Sequence, residues 1–204
     1  WSFFAVHRVV RDERHGWTNY LHGTTLHGRQ RHGAERSEPM TYFHKQGPVG
    51  SLFQLLNQTQ GQGRRVGVLG LGVGTLAAYA RPGEPWTFFE IDAEVARLAE
   101  DTHQFTYLSE GRARTQSAPG GDLNVELGDG RLLLAAKPDH AYDLLVMDAF
   151  SSDAVPVHLL THEAFQLYAS KLTEGGVLAM NITNRFLDLE AVVGWRSGGV
   201  DEGG

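Results

Sequence analysis

Cysteine is absent from this sequence of 204 residues. Without cysteine the chain can form no disulfide bond, no thiolate metal site and no cysteine nucleophile. Long apolar runs are missing as well, because no stretch approaches the roughly 20 residues of a membrane-spanning helix and no signal peptide is visible. We therefore expect a soluble, cytoplasmic domain. Since the chain starts at Trp1 rather than Met, we also expect a fragment of a longer protein.

An excess of basic residues is also missing. Lysine and arginine number 18 against 24 acids, which gives a formal net charge of −6. That balance argues against a nucleic-acid partner and suits a cationic substrate. Hydrophobic residues make up 41% of the chain, enough for the core of one α/β domain with a small appendage.

The first 47 residues differ in pattern from the rest of the chain. Short apolar runs alternate with His, Gly and Asn, which predicts two or three antiparallel strands with tight turns near residues 12–16 and 21–28. His22, His27 and His32 are spaced five apart, a spacing that alternates faces in a strand, so we expect polar sheet and loop residues rather than one metal site. We place a boundary at residue 47, between an N-terminal β unit (1–47) and an α/β nucleoside-binding domain (48–204).

From residue 48 onward, strand and helix patterns alternate with short connections. Strands are predicted at 66–69, 86–89, 123–127, 144–147 and 177–182, and helices at 48–63, from 75, at 93–100, 131–136, 161–172 and 184–195, with a loop over 104–122. Residues 144–147 form a continuous apolar run, which is typical of a strand covered on both faces. The fold class is therefore α/β, a doubly wound, mostly parallel Rossmann-like sheet with a small N-terminal antiparallel unit.

A glycine turn follows the first of these strands. Gly70, Gly72 and Gly74 let backbone N–H groups approach a ligand at the start of the following helix. Thr75 stands in place of the third glycine of the dinucleotide-binding motif, which packs the helix against the strand. The spacing is therefore weaker evidence for a nucleotide ligand than the full motif would be. The turn by itself leaves a nucleoside ligand and a tight structural turn as alternatives.

Acidic residues stand at or just after the ends of the later strands. Glu90 is placed to accept hydrogen bonds from ribose hydroxyls. The alternative role for Glu90 is to cap the following helix, but we assign that role to Asp92. Asp129 can accept from the exocyclic amine of adenine or serve only as a turn residue. Asp148 ends the apolar strand 144–147, and Asp153 follows five residues later. The carboxyl ends of parallel strands meet at the edge where such sheets bind ligands.

These features together resemble the S-adenosylmethionine-dependent methyltransferase-like fold. Within it, the chain resembles the spermidine synthase (polyamine aminopropyltransferase) family, most closely its divergent bacterial branch, which is often fused to membrane transporter-like segments. The likeness covers roughly residues 18–190 and rests on LHGRQ (26–30), TYFHKQGPVG (41–50), FFEID (88–92), GDGR (128–131) and DAFSSDAVPVHLLT (148–161).

The resemblance implies a role for each matching residue. Asp148 would be the catalytic acid–base residue, Asp153 would bind the acceptor amine, and Glu90 and Asp129 would hold ribose and adenine. The implied set is completed by Gln30, Gly70, Gly72, Gly74, Ile91 and Gly130 around the nucleoside and by Tyr42 and His44 around the substrate. The implied donor is decarboxylated or intact S-adenosylmethionine without a metal, the acceptor is a polyamine or another amine, and the family's common dimeric state makes a homodimer the expected assembly.

Three departures from the family pattern keep alternatives open. Val73 stands where the family's glycine loop has an acid, the Tyr-His-Glu motif reads Phe43-His44-Lys45, and two extra residues separate Asp148 from Ser-Ser-Asp. Aminopropyl transfer is therefore weighed against a methyltransferase using intact S-adenosylmethionine and against a non-catalytic nucleoside- or polyamine-binding domain of a larger, membrane-attached protein. A dehydrogenase is disfavoured because the third glycine of the dinucleotide motif is missing.

Overall fold

The computed structural model describes residues 7–23, 25–149 and 156–181. Three antiparallel strands come first: β1 (His7–Asp12), β2 (Trp17–His22) and β3 (Thr25–Arg31). Glycine at positive φ, 70° at Gly16 and 61° at Gly23, closes the two turns. The predicted antiparallel unit is confirmed, but the second turn is shorter than expected because Leu26 and Gly28 already pair with β2.

A parallel sheet of five strands forms the centre of the molecule. Its order is β6-β5-β4-β7-β8, so the direction of winding reverses between β4 and β7. Ligands of such sheets bind at this reversal, beside the carboxyl ends of the strands. The five strands are β4 (Val66–Leu69), β5 (Pro85–Glu90), β6 (Asp122–Leu127), β7 (Tyr142–Met147) and β8 (Leu172–Met180).

Apolar side chains cover the parallel sheet on both faces. On β7, Leu144 and Val146 pack into a cluster around Phe53, while Leu145 and Met147 pack into a second cluster around Tyr168. This division confirms the prediction that the apolar run forms a strand covered on both faces. β7 runs parallel to β4 and β8, and Asp148 follows its carboxyl end.

Five α-helices in the described residues flank the sheet, and two of them begin at side-chain caps that the sequence predicted. Asp92 accepts a hydrogen bond from the backbone N–H of Glu94 at 2.9 Å, and the Thr161 hydroxyl accepts one from that of Ala164 at 3.2 Å. Both caps confirm the predicted helix starts. The helices are α1 (Pro48–Thr59), α2 (Ala93–Glu100), α3 (Tyr107–Thr115), α4 (Gly130–Ala135) and α5 (His162–Lys171).

Two segments differ from the sequence-based expectation. The predicted α-helix from Thr75 is a 3₁₀ helix, Thr75–Tyr79, because Pro82 follows closely and disfavours helical backbone before it. The predicted loop over 104–122 contains α3, whose polar sequence shows no apolar stripe. Tyr107 and Leu108 are nevertheless buried, so tertiary packing stabilises this helix.

Two predictions concern residues that the structure does not describe, and another concerns membrane-spanning helices. The predicted helix over 184–195 and Asp153 lie outside the described residues. Among the helices of the described segments, none has the length and apolar character needed to cross a membrane.

Candidate active site

A cavity of about 510 Å³ lies at the carboxyl ends of β4, β5 and β7. The antiparallel sheet forms the opposite wall. Such a volume suits a nucleoside-sized ligand. The described residues that line it come from the glycine turn and strand ends (Leu69, Gly70, Leu71, Gly72, Phe89, Glu90, Ile91, Asp92, Asp129, Gly130, Asp148, Ala149), from the N-terminal region (His7, Tyr20, His22, His27, Tyr42) and from Val95 and residues 156–159.

The glycine turn brings backbone close to the cavity. A Cβ atom on Gly70 would lie 2.5 Å from the carbonyl oxygen of Asp148, so the turn can approach the end of β7 only with glycine there. Gly72 also lines the cavity, whereas Gly74 does not, and a Cβ on Gly74 would meet Leu108 at 2.7 Å. Gly74 therefore permits close packing against α3, in place of the predicted ligand contact.

Glu90 reaches the cavity with both carboxylate oxygens held by backbone. One oxygen accepts from the Leu71 N–H at 3.0 Å and the other from the Asp92 N–H at 2.8 Å. Burial raises the pKa of Glu90, and these backbone donors oppose the rise. Carboxylate oxygens have more than one lone pair, so the side chain can accept further hydrogen bonds from a ligand.

Asp129 caps a helix and also lines the cavity. A single oxygen, Oδ1, accepts from the backbone N–H groups of Arg131 at 2.9 Å and Leu132 at 3.2 Å, which caps α4. Asp129 and Gly130 also line the cavity. Ile91 lines it too and is 53% exposed, so it offers an apolar surface to a flat ring.

Asp148 is the most perturbed acid of the site. Its Oδ1 accepts from Asn181 Nδ2 at 2.9 Å and from the Tyr42 hydroxyl at 3.2 Å. Burial raises the pKa of Asp148 to about 7, although these two donors pull it down. Burial and the neighbouring Asp148 in turn raise the pKa of Tyr42 well above its usual value. A carboxyl group that titrates near neutral pH suits general acid–base chemistry.

The backbone fixes this group at the mouth of the sheet. The Asp148 N–H donates to Leu69 O at 2.8 Å, and the Asn181 N–H donates to Met147 O at 2.9 Å. These bonds continue the parallel ladders at both edges of β7. Asn181 was not predicted as a site residue, although its place directly after the apolar strand residues 177–180 was a usable signal.

Two predicted site residues lie away from the cavity. The Gln30 amide accepts from the Thr106 N–H at 2.8 Å and donates to Thr106 Oγ1 and Arg36 O, so it ties β3 to the start of α3. It is 3% exposed and does not line the cavity. His44 accepts from the Gln46 N–H at 3.2 Å and is likewise not among the lining residues. Neither residue is among those that line the cavity in the described residues.

Val73 also points away from the cavity. It is 2% exposed, and its methyl groups would lie 2.6 and 2.7 Å from a Cβ on Gly28. The close approach of β3 to the glycine turn therefore depends on the pairing of Gly28 with Val73. The turn presents no acid to the cavity at this position.

The N-terminal histidines lie closer together than their spacing suggested. Tyr20 pairs with Gly28 and Leu21 with Leu26, so His27 is the extra residue of a β-bulge. As a result, the rings of His22 and His27 are 5.0 Å apart and both line the cavity. Among the described residues, no group of three suitable side chains is placed to hold a metal ion.

Comparisons with known proteins place the chain near one family. It is 28% identical over 134 residues to the polyamine aminopropyltransferase of Vibrio vulnificus, matching 62% of this chain and 41% of the relative. It is 30% identical over 118 residues to a probable polyamine aminopropyl transferase of Bifidobacterium longum, matching 56% of this chain and 23% of the relative. The matched segments thus span less than half the length of either curated relative. No family model matches the chain.

A solved structure agrees with these relatives at the level of the fold. A probable spermidine synthase from Corynebacterium glutamicum superposes with a TM-score of 0.72 at 19% identity, over 88% of this chain and 61% of that one. The sequence similarity and the shared fold confirm the predicted resemblance.

Proposed function

Given this similarity to polyamine aminopropyltransferases, we propose that the chain carries the site for aminopropyl transfer from decarboxylated S-adenosylmethionine to an amine. Asp148 is the base of this reaction. The observation that carries the proposal is a carboxyl group at the carboxyl end of β7, inside the cavity, with a pKa raised to about 7. It faces the same space as Glu90 and the glycine turn.

The donor is held mainly through its adenosyl part. Glu90 accepts from the two ribose hydroxyls, Gly70 and Gly72 lie beside the sulfur end, and Asp129 and Gly130 lie at the adenine end. Ile91 packs against the face of the base. This order places the sulfonium between the glycine turn and Asp148.

The reaction then needs a base rather than a metal or an oxyanion hole. The acceptor amine is protonated at neutral pH and cannot attack until it loses a proton. The Asp148 carboxylate takes that proton, and the lone pair of the neutral amine then forms a bond to the aminopropyl carbon next to sulfur. The carbon–sulfur electrons return to sulfur, so methylthioadenosine leaves as a neutral thioether.

Tyr42 and Asp153 complete the proposed acceptor site. The Tyr42 hydroxyl contacts Asp148 and orients its carboxylate. Asp153, outside the described residues, is the proposed partner for the second ammonium of a diamine. Two carboxylates then hold a dication in line with the bond that breaks.

Product analysis tests the proposal. The chain is incubated at pH 8 with decarboxylated S-adenosylmethionine and either putrescine or spermidine, and nucleoside products are separated by chromatography. We expect methylthioadenosine in equal amount to the new polyamine. If no methylthioadenosine is released above an enzyme-free control, the proposed reaction is wrong.

Methyl transfer is the second candidate, and one observation favours it. The glycine turn has Val73, packed against Gly28, where the family has an acid that grips the donor amine. Intact S-adenosylmethionine would then be tolerated, and methyl transfer would leave S-adenosylhomocysteine instead. The same chromatography with intact S-adenosylmethionine distinguishes the two reactions by their nucleoside product.

A further inference from the structure

Four ring side chains of the antiparallel sheet line the cavity, and we call them the aromatic wall: His7, Tyr20, His22 and His27. The rings contact one another in sequence. His7 stacks on His22 with centroids 5.2 Å apart and planes 10° apart, and His27 meets His22 edge-on at 5.0 Å. Tyr20 lies against His27 at 6.1 Å. The family resemblance gave none of these four residues a role.

Hydrogen bonds fix one end of the wall. His7 Nδ1 lies 2.7 Å from the Tyr20 hydroxyl, and His7 Nε2 lies 3.0 Å from Asp92 Oδ2. Asp92 in turn caps α2 through its other oxygen. His7, which stacks on both Tyr20 and His22, is therefore held in place by a chain of contacts that begins in a helix cap, with the Asp92 carboxylate beside its ring.

The acids that line the described part of the cavity are already engaged by the protein. Glu90 accepts from two backbone N–H groups, Asp129 caps α4, Asp92 meets His7, and Asp148 bonds to Asn181. With Asp148 assigned to the acceptor amine, the aromatic wall offers a further surface in the described part of the cavity that can receive the donor's positive charge.

The position of the wall fits the donor tail. A Cβ on Gly72 would lie 3.6 Å from His27 O, so β3 passes directly over the glycine turn. A donor with its ribose on Glu90 places the sulfur beside this turn. Attack requires the acceptor on the side of the reacting carbon opposite the breaking bond, and the proposed acceptor site is at Asp148. The donor's sulfonium and alkyl tail thus face the wall.

We propose that the aromatic wall is a cation subsite, in which ring faces bind the sulfonium and alkylammonium charges of the donor. This assignment rests on the proposed function. Ring faces attract cations that carry no good hydrogen-bond donor, such as a sulfonium, through their negative quadrupole. The product methylthioadenosine lacks the positive charge that the rings would recognise, so this subsite would hold it less tightly than the donor.

The test compares a cationic and a neutral ligand that share the adenosyl group. Calorimetry at pH 8, where histidine is generally neutral, gives the Kd of decarboxylated S-adenosylmethionine and of methylthioadenosine. The variants are His22→Leu/His27→Leu, which removes two rings, and His22→Phe/His27→Phe, which keeps them. His103→Leu, an exposed position that does not line the cavity, is the matched control. Thermal unfolding checks that each variant is folded.

We expect the double leucine variant to weaken decarboxylated S-adenosylmethionine about tenfold while methylthioadenosine changes less than twofold. The double phenylalanine variant and the His103 control should stay within about threefold of wild type for both ligands. Equal weakening of both ligands, an unchanged Kd for the cation, or failure of phenylalanine to preserve binding would overturn the cation subsite. If wild type binds neither ligand, the proposed function itself fails, which separates the two claims.

Discussion

Asp148 keeps its proton to a higher pH than an ordinary aspartate because burial disfavours its charge more than Tyr42 and Asn181 favour it. The raised pKa has a consequence for stability as well as for catalysis. Between about pH 3.9, where the side chain titrates in an unfolded chain, and about 7, where it titrates when folded, only the folded state keeps the proton. Stability contributed by this residue is therefore complete at low pH and is lost as pH rises through that window.

Replacing Asp148 with asparagine should remove this loss. We expect the Tm of Asp148→Asn relative to wild type to increase steadily from pH 4 to 7 and then to level off. Thermal unfolding at a series of pH values measures it. Asp143→Asn, at the other end of β7, is the control, because bonds from Arg65 and Thr173 outweigh burial and lower the pKa of Asp143. Its Tm difference from wild type should stay level between pH 4 and 7 and change only at lower pH, where wild type loses the stability that the Asp143 carboxylate contributes. A Tm difference for Asp148→Asn that does not change with pH would contradict the raised pKa.

Asn181 sets how far the pKa of Asp148 rises. Its 2.9 Å bond to Oδ1 stabilises the carboxylate, so Asn181→Ala should move the acidic limb of the kcat/KM profile to higher pH. The KM for the donor should change little, since Asn181 does not line the cavity. Asn124→Ala, which removes an exposed asparagine of β6, serves as control. A uniform loss of rate with no shift of the limb would assign Asn181 a structural role only.

Sequence reasoning worked best for residues whose role follows from position in the sheet. Glu90 and Asp148 end parallel strands, and both line the cavity as predicted. Gln30 shows the limit, because nothing in its sequence context reveals that its amide is satisfied by Thr106, 76 residues away. Asn181 was not predicted because its contact with Asp148 depends on the pairing of β7 with β8.

At the scale of elements, α3 is the helix that sequence patterns concealed. Gly111 sits at its centre, a residue that weakens helix propensity by about 1 kcal/mol relative to alanine. The structure gives the reason for glycine there: a Cβ would lie 2.8 Å from Ala77 Cβ and 3.0 Å from Ala77 O. Close packing of α3 on the 3₁₀ helix Thr75–Tyr79 therefore outweighs local propensity.

Gly111→Ala should consequently lower the free energy of unfolding by about 1–3 kcal/mol, despite the gain in helix propensity. Denaturant unfolding measures the change. Gly130→Ala in α4 is the matched helix control, because its nearest contact of 3.4 Å is ordinary van der Waals distance. An increase in stability for Gly111→Ala would show that the 3₁₀ helix moves aside without cost.

At the scale of the whole molecule, the N-terminal β unit contacts the start of α3 through polar contacts as well as apolar packing. Gln30 binds Thr106, and the Tyr107 hydroxyl donates to Glu38 O at 2.7 Å. These contacts hold the antiparallel sheet over the cavity. The topology of the parallel sheet followed from the alternation of strand and helix patterns, whereas the docking of the first 47 residues did not, because it depends on individual side chains rather than on periodicity.

Gln30→Ala tests whether this residue ties the sheets together or contacts the ligand. We expect a loss of about 1–3 kcal/mol in unfolding free energy, since the buried Thr106 N–H loses its partner. The Kd of methylthioadenosine should stay within about threefold of wild type if Gln30 acts only through the fold. Loss of nucleoside binding without loss of stability would instead restore the direct contact predicted from the sequence.

The most direct measurement is the release of methylthioadenosine from decarboxylated S-adenosylmethionine and a diamine at pH 8 by wild type and by Asp148→Asn, with the Kd of methylthioadenosine measured in parallel. We expect release to fall at least about a hundredfold in Asp148→Asn, because the general base is gone, while the Kd stays within about threefold. Unchanged release by Asp148→Asn would show that Asp148 is not the base and would contradict the proposed mechanism.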